Sequence, residues 1–329
     1  MTKNNQLKTA IVLFLFIVMS PYLISSESHS NEQSEISEAD LRLSLYKKTE
    51  AITQTPWYYI AAIDQYERNI GRLKDHETRL TRIQIPKEKW YGTLPHITDK
   101  KQLEHIIYLF EGFGKDGDGD EIADDNNDED VLYTMALLIR DGLFEHDDFE
   151  FFVNAYYDNE KAAEVVSLIA KMFNHFETVD LSERAFPIPK FHNYTYRSTW
   201  GYARGWGGRR IHEGTDIFAS YGVPVRSASY GIVEIKGWNR YGGWRVGIRD
   251  PYNVYHYYAH LNGYEKGIEE GTFVKPGDII GYVGASGYGP EGTSGKFAPH
   301  LHYGMYLFNG KNEWAFDPYP HLRRWERNS

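Results

Sequence analysis

The sequence predicts a multi-domain chain, with a mainly α-helical N-terminal unit followed by an all-β C-terminal unit built on an antiparallel sheet. Three observations carry this. Apolar residues recur at helical spacing between Leu41 and Phe176. From about residue 200 onward, short β-prone runs alternate with Gly and Pro punctuation. The length, 329 residues, suits two domains and a leader better than one domain. The expected divisions are a signal peptide or N-terminal anchor over 1–26, a flexible spacer over 27–40, a helical domain over 41–183, a linker over 184–199 and a β domain over 200–329.

The leader expectation rests on Lys3 and Lys8 ahead of the apolar run Ala10 to Met19, with Ser20-Pro21 and Ser25-Ser26 behind it. That run is short for a membrane span of ~20 residues. An uncleaved anchor stays open, because no clean small-x-small cleavage site stands out. The Ser- and Glu-rich stretch after it reads as a spacer.

In the helical unit, Leu41 to Thr53 has helical spacing. Pro56 opens a second helix over Trp57 to Glu67, at a first-turn position where proline is tolerated. Gln102 to Phe110, Asp130 to Arg140, Phe149 to Tyr157 and Lys161 to Phe176 read as further helices. Between them, nine of the fifteen residues from 116 to 130 are acidic. Alternating carboxylates with glycines are what a calcium loop needs, which makes Asp116, Asp118, Asp120 and Asp124 candidate calcium ligands. The loop departs from the EF-hand pattern at Glu121, where the turn glycine belongs, and at Asn127, where the bidentate glutamate belongs.

Arg184 to Lys190, with Pro187 and Pro189, reads as a stiffened joint. Expected strands after it are Val223–Val225, Gly231–Ile235, Trp244–Ile248, Val254–Ala259, Ile279–Val283 and His300–Leu307. The chemistry concentrates at two places in this unit. Arg209-Arg210-Ile211-His212-Glu213-Gly214-Thr215-Asp216 offers a histidine and a carboxylate four apart. Its glycines argue for a loop or strand end. Pro299-His300-Leu301-His302-Tyr303 is a His-x-His, whose two rings share one face of a strand. Two histidines and an aspartate suit a zinc site with three protein ligands and one open position. A third histidine, His260, lies between the motifs in Tyr257-Tyr258-Ala259-His260-Leu261. His256 has the same strand parity as His260, which would bring it near the cleft edge; we read it as structural. The Gly-rich segment Ser286–Gly295 lacks the Lys-Ser/Thr of a phosphate loop and is expected to wall a groove.

Together, His212-x-x-x-Asp216, Tyr258-Ala259-His260-Leu261 and His300-x-His302 resemble the lysostaphin-type zinc peptidases of family M23, over about residues 200 to 320. The resemblance implies that His212, Asp216 and His302 bind zinc. It also implies that His300 is the general base and His260 the group supporting the tetrahedral intermediate, two roles the sequence would allow to be exchanged. The combination with a helical domain looks most like the sporulation-associated family members that cut L-alanyl-D-glutamate bonds of peptidoglycan. That implies an exported endopeptidase, secreted or associated with the cell wall or spore cortex, with peptidoglycan as partner. The helical unit itself resembles the lysozyme-like lytic transglycosylases at Pro56 to Glu67, Trp90-Tyr91-Gly92 and the acidic loop. Glu67 falls where that family carries its glycan acid, and could be a vestige of it. Arg68 follows where the family has serine, and a neighbouring cation would favour the ionised carboxylate.

Composition narrows the field. There is no cysteine, which excludes disulfides, thiolate metal sites, a cysteine nucleophile and a lipoprotein anchor. Net charge is −10 and unevenly placed. From Lys190 onward there are 17 Lys and Arg against 12 Asp and Glu, and before it 19 against 34. A mildly basic back half suits an anionic polymer such as cell wall. No basic run or basic-aromatic motif supports nucleic-acid binding.

Overall fold

Helix caps written into the sequence set the N-terminal architecture. The computed structural model describes residues 36–71, 79–93, 101–205 and 210–328. The leader expected over 1–26, and the spacer up to residue 35, lie outside them. Helix α1 (Glu38–Thr53) begins inside the expected spacer, because Ser37 and Asp40 form a reciprocal capping box. Helix α2 (Trp57–Ile70) follows Pro56. Then come α3 (Lys87–Tyr91), β1 (Lys101–Leu103), α4 (Glu104–Leu109), β2 (Ile122–Asp124), α5 (Asp128–His146), α6 (Phe149–Tyr157) and α7 (Glu160–Phe176). Asn127, Asp148 and Asn159 cap the last three by accepting backbone N–H groups of the first turn. The buried face of α2, including Ile60 and Ile63, packs on that of α7, including Val166 and Phe173.

The C-terminal strands are β3 (Tyr194–Tyr196), β4 (Ala203–Arg204), β5 (Arg210–Ile211), β6 (Thr215–Ala219), β7 (Pro224–Arg226), β8 (Gly231–Asn239), β9 (Gly243–Arg249), β10 (Val254–Tyr264), β11 (Phe273–Val274), β12 (Ile279–Val283), β13 (His300–Phe308) and β14 (Glu313–Phe316). Ten of them form one antiparallel sheet. Its main order is β11-β8-β9-β10-β13-β6-β3, with β12 joining β10 to β7 and β14 pairing with β13. A final helix, α8 (Tyr319–Asn328), has no counterpart among the sequence expectations. It has only Leu322 and Trp325 to bury, too few for a periodic signal.

From Ser37 onward the chain is one compact unit, so the two expected domains are not separated by a free linker. Phe186 and Ile188 of the expected joint are fully buried in the β core, and Arg184 pairs with Asp250. The helical and β parts meet directly. Asn69 donates to Asn253 Oδ1 and to the Pro251 carbonyl, Asn159 donates to the Gly310 carbonyl, and His175 stacks on Phe273.

Arg249 anchors the sheet beneath the cleft described below. Only 1% exposed, it forks onto both oxygens of Glu234 at 2.9 and 3.0 Å and reaches Glu313 at 2.7 Å. Arg249→Met would leave the largely enclosed Glu234 without its cation, costing about 3 kcal/mol. The expected result is a lower urea midpoint with an unchanged m-value.

Candidate metal centre

Antiparallel pairing brings the two sequence motifs together. In the register of β6 with β13, Asp216 stands directly opposite His302, and Phe218 opposite His300. His212 sits in the turn between β5 and β6, where its backbone exchanges hydrogen bonds with Tyr202 and Gly201. His212 Nε2, Asp216 Oδ1 and His302 Nδ1 converge. The two ring nitrogens are 2.9 Å apart, and each is 3.0 Å from the carboxylate oxygen.

The donor set fits a metal ion. His212 Nδ1 lies 3.0 Å from the Thr199 carbonyl, which can only accept, so the ring proton sits on Nδ1 and Nε2 carries a lone pair. That lone pair and the Asp216 carboxylate are then two acceptors face to face, an arrangement a cation at their centre satisfies. Donors bound at ~2.0–2.1 Å around a tetrahedral ion lie about 3.3 Å apart, near the spacing seen. Burial alone would raise the Asp216 carboxyl, but its close contacts with the His212 and His302 rings outweigh burial and hold the group far below the usual carboxylate range. Burial depresses His302 and favours the neutral ring that a metal requires.

His300 and His260 complete the cluster without joining the three donors. Each has Nδ1 2.8 Å from a backbone carbonyl, of Ala298 and Ser286 respectively, leaving Nε2 with its lone pair. Their rings lie 4.8 Å apart, and His300 Nε2 is 3.7 Å from Asp216 Oδ1. Burial lowers both: His300 by that alone in the main, His260 further through repulsion from His300 and His302. His260 has φ +64°, a left-handed conformation rare for a side-chain-bearing residue. It is the extra residue of a bulge, where the pairing of β10 with β9 slips between Tyr258 and Leu261.

The bulge overturns the parity argument that placed His256 near the cleft edge. Tyr257 and His260 both line the cleft, whereas His256 is buried. His256 meets the Tyr303 hydroxyl at 2.6 Å and Asp250 at 3.2 Å, a structural role. The cleft has a volume of about 530 Å³, and Tyr288 of the Gly-rich segment and Phe297 contribute to its wall.

Three residues at this centre have roles that the sequence does not mark. Arg204 binds Asp216 Oδ2 at 2.5 Å, leaving Oδ1 toward the histidines. It is an isolated cation in a glycine-rich stretch, with no motif to mark it. Ser286 fixes the bulge: its hydroxyl donates to the Leu261 carbonyl and accepts from the Trp244 amide, while its own carbonyl holds His260. Gly214, expected only to favour a loop or strand end, meets a tighter constraint. A Cβ there would lie 2.6 Å from His302 Cε1 and 2.7 Å from the Tyr303 carbonyl oxygen. Gly214→Ala is therefore expected to push His302 aside and weaken metal binding on the order of 10–100-fold, as displaced supporting groups do. A competition titration with a chromophoric chelator reads this.

The acidic loop assembles only in part. Carboxylate oxygens of Asp116, Asp118 and Asp120 lie within 4.8 Å of one another. Asp124 is not among them, because β2 pairing with β1 carries it away and its side chain accepts the Asn126 amide. Asp130 ties both ends of the loop by accepting the Gly117 and Asp124 amides.

Glu67 departs from its expectation in another way. Neighbouring helix residues point in different directions, and Arg68 turns to Asp64 and Glu38 instead of Glu67. Burial, opposed by a 2.7 Å hydrogen bond from the Tyr157 hydroxyl, pushes Glu67 up to about 7.

A β-sheet cleft with two histidines and an aspartate converging, and two further histidines beside them, is the site of a metallopeptidase. Residues 210–318 match peptidase family M23, and the chain belongs to that family. Over 290 residues, 87% of this chain and 88% of its relative, it is 54% identical to the L-Ala–D-Glu endopeptidase of Bacillus subtilis (strain 168). Among solved structures, the catalytic domain of lysostaphin from Staphylococcus simulans is 34% identical, with 40% of this chain and 93% of that one covered at a TM-score of 0.33. A zinc-containing peptidase from Vibrio cholerae is 27% identical, covering 40% of this chain and 39% of that one, at a TM-score of 0.32.

Proposed function

We propose that this chain is a zinc endopeptidase that hydrolyses the L-Ala–D-Glu bond of peptidoglycan stem peptides. The observation that carries the proposal is the convergence of His212, Asp216 and His302 beside two rings that offer lone pairs to one cleft. The 54% identity to a protein named for that bond supports the specificity. Zinc held by these three residues would supply Lewis-acid polarisation of the scissile carbonyl and acidification of water. His300 Nε2, lying nearer Asp216, takes the proton of the attacking water and passes it to the departing amine. His260 supports the oxyanion only when its Nε2 carries a proton, since its Nδ1–H is committed to Ser286. Peptidoglycan lies outside the cytoplasm, so the reading includes export, through the apolar N-terminal run, and action on wall or spore cortex. Among the described residues no helix is long and apolar enough to cross a membrane.

Calcium at Asp116, Asp118 and Asp120 is part of the same reading. Millimolar calcium is expected to raise Tm, and Asp118→Asn to remove that shift. An unchanged Tm would leave the loop as a set of backbone caps. The elevated Glu67 favours a second, glycan-cleaving reading of the helical part.

Mass spectrometry of peptidoglycan digested by the purified full-length protein, with and without a zinc chelator, separates these readings. New amino-terminal Glu, with L-Ala left on the sugar and lost under chelation, supports the proposal. Cleavage at another peptide bond rejects the specificity. Anhydro-sugar products that survive chelation assign the activity to Glu67. Bound zinc with no product points to a wall-binding scaffold.

A further inference from the structure

Most guanidinium groups around the cleft are committed. Arg204 is taken by Asp216, and Arg249 by Glu234 and Glu313. Arg210 is at the rim, over the Tyr241 ring and against the Tyr288 hydroxyl. Arg245 differs. It lies on β9 between Trp244 and Val246, which pair with Leu261 and Tyr258 on either side of the His260 bulge. Its side chain lines the cleft together with Tyr257, and its Nε is buried without a partner. Among the described residues no carboxylate comes within ion-pair distance of it.

A half-buried guanidinium with an unpartnered Nε gains from an anion, and its planar fork matches a carboxylate. The strand order places β9 two strands from β13, so Arg245 stands roughly 10 Å across the sheet from the His302 strand. That gap suits a substrate group adjoining the scissile bond. The proposed substrate supplies one. A glutamyl residue has two carboxyl groups, and its amino group is in the bond being cut. When the peptide continues through the side-chain carboxyl, the other stays free on the Cα next to the scissile nitrogen.

We propose that Arg245 is the specificity residue that binds this free carboxylate of the D-glutamyl residue on the leaving side of the bond. The proposal rests on the L-Ala–D-Glu reading above. Arg245 touches no reacting atom. It selects an acidic residue after the cut and positions the amine to leave.

The test uses two synthetic tripeptides, L-Ala-γ-D-Glu-L-Lys and its D-isoglutamine counterpart, in which the free carboxyl is an amide. Wild-type full-length protein is expected to prefer the carboxylate in kcat/KM by about 10²-fold, the scale of a charge-assisted hydrogen bond. Arg245→Gln should lose that preference by slowing the carboxylate peptide alone, with zinc content and Tm unchanged. Arg245→Lys, which keeps charge without the fork, should fall between. Equal slowing of both peptides by Arg245→Gln, or no wild-type preference, overturns the assignment. If Arg245→Gln does not fold, the Arg245→Lys ratio decides: a wild-type ratio rejects the proposal and a reduced one supports it. Wild-type cleavage of neither peptide, with cutting elsewhere in the intact stem, rejects the L-Ala–D-Glu reading and this assignment together. That outcome is seen without any variant, so the two failures are distinguishable.

Discussion

His212→Ala is expected to strip the protein of its metal and of peptide cleavage together. The three donors form a closed triangle with 2.9–3.0 Å edges, and no other described side chain has a ligand atom in the group. Removing one donor of a zinc site forfeits on the order of 3 kcal/mol, about 10²-fold in affinity. Activity should fall further, by at least about 10³-fold in kcat/KM, because ion and geometry are lost at once. The variant should still fold, since Asp216 keeps its Arg204 partner and His212, though buried, lies in a turn rather than in a strand of the main sheet. Metal analysis by plasma mass spectrometry beside a peptide-release assay checks both halves. Unimpaired cleavage by His212→Ala would show the site to be misassigned.

The second large effect separates chemistry from metal holding. His300→Ala should retain zinc at wild-type stoichiometry yet lose about 10²–10⁴-fold in kcat, the contribution of a positioned acid–base group. His260→Asn, chosen because asparagine tolerates the left-handed backbone at φ +64°, should also keep zinc and lose activity. If the two rings act as a unit, the double variant will be little slower than the worse single one. Loss of zinc from either single variant would move that histidine into the ligand set. A full additive loss would mean that the rings serve separate steps.

The sequence carried the ligand types, but its arithmetic had limits. The His-x-His period of two placed His300 and His302 on one strand face, and both line the cleft. The same period failed one strand away, because a single extra residue in β10 exchanges the faces that His256 and His260 present. A bulge leaves no compositional mark, and His260 looks like any other strand residue until Ser286 and Gly242 are seen holding it. The Pro-flanked joint misled in a similar way. Its prolines stiffen the chain, but Phe186 and Ile188 had a core to enter that only the folded sheet provides.

By itself the sequence determined a helical part ahead of an antiparallel β part, the two histidines and the aspartate that could hold a metal at His212, Asp216 and His302, and the family to which they belong. Those are properties of residue type, short spacing and local periodicity, which neighbours along the chain suffice to specify. Tertiary structure alone decided that the two parts pack as one unit and that Arg204 claims one oxygen of Asp216. It also decided that Asp124 leaves the acidic loop, and that Arg245 stands in the cleft without an acid. Each of these depends on strand register and on side chains far apart in sequence, and register is set only when the whole sheet closes over its core.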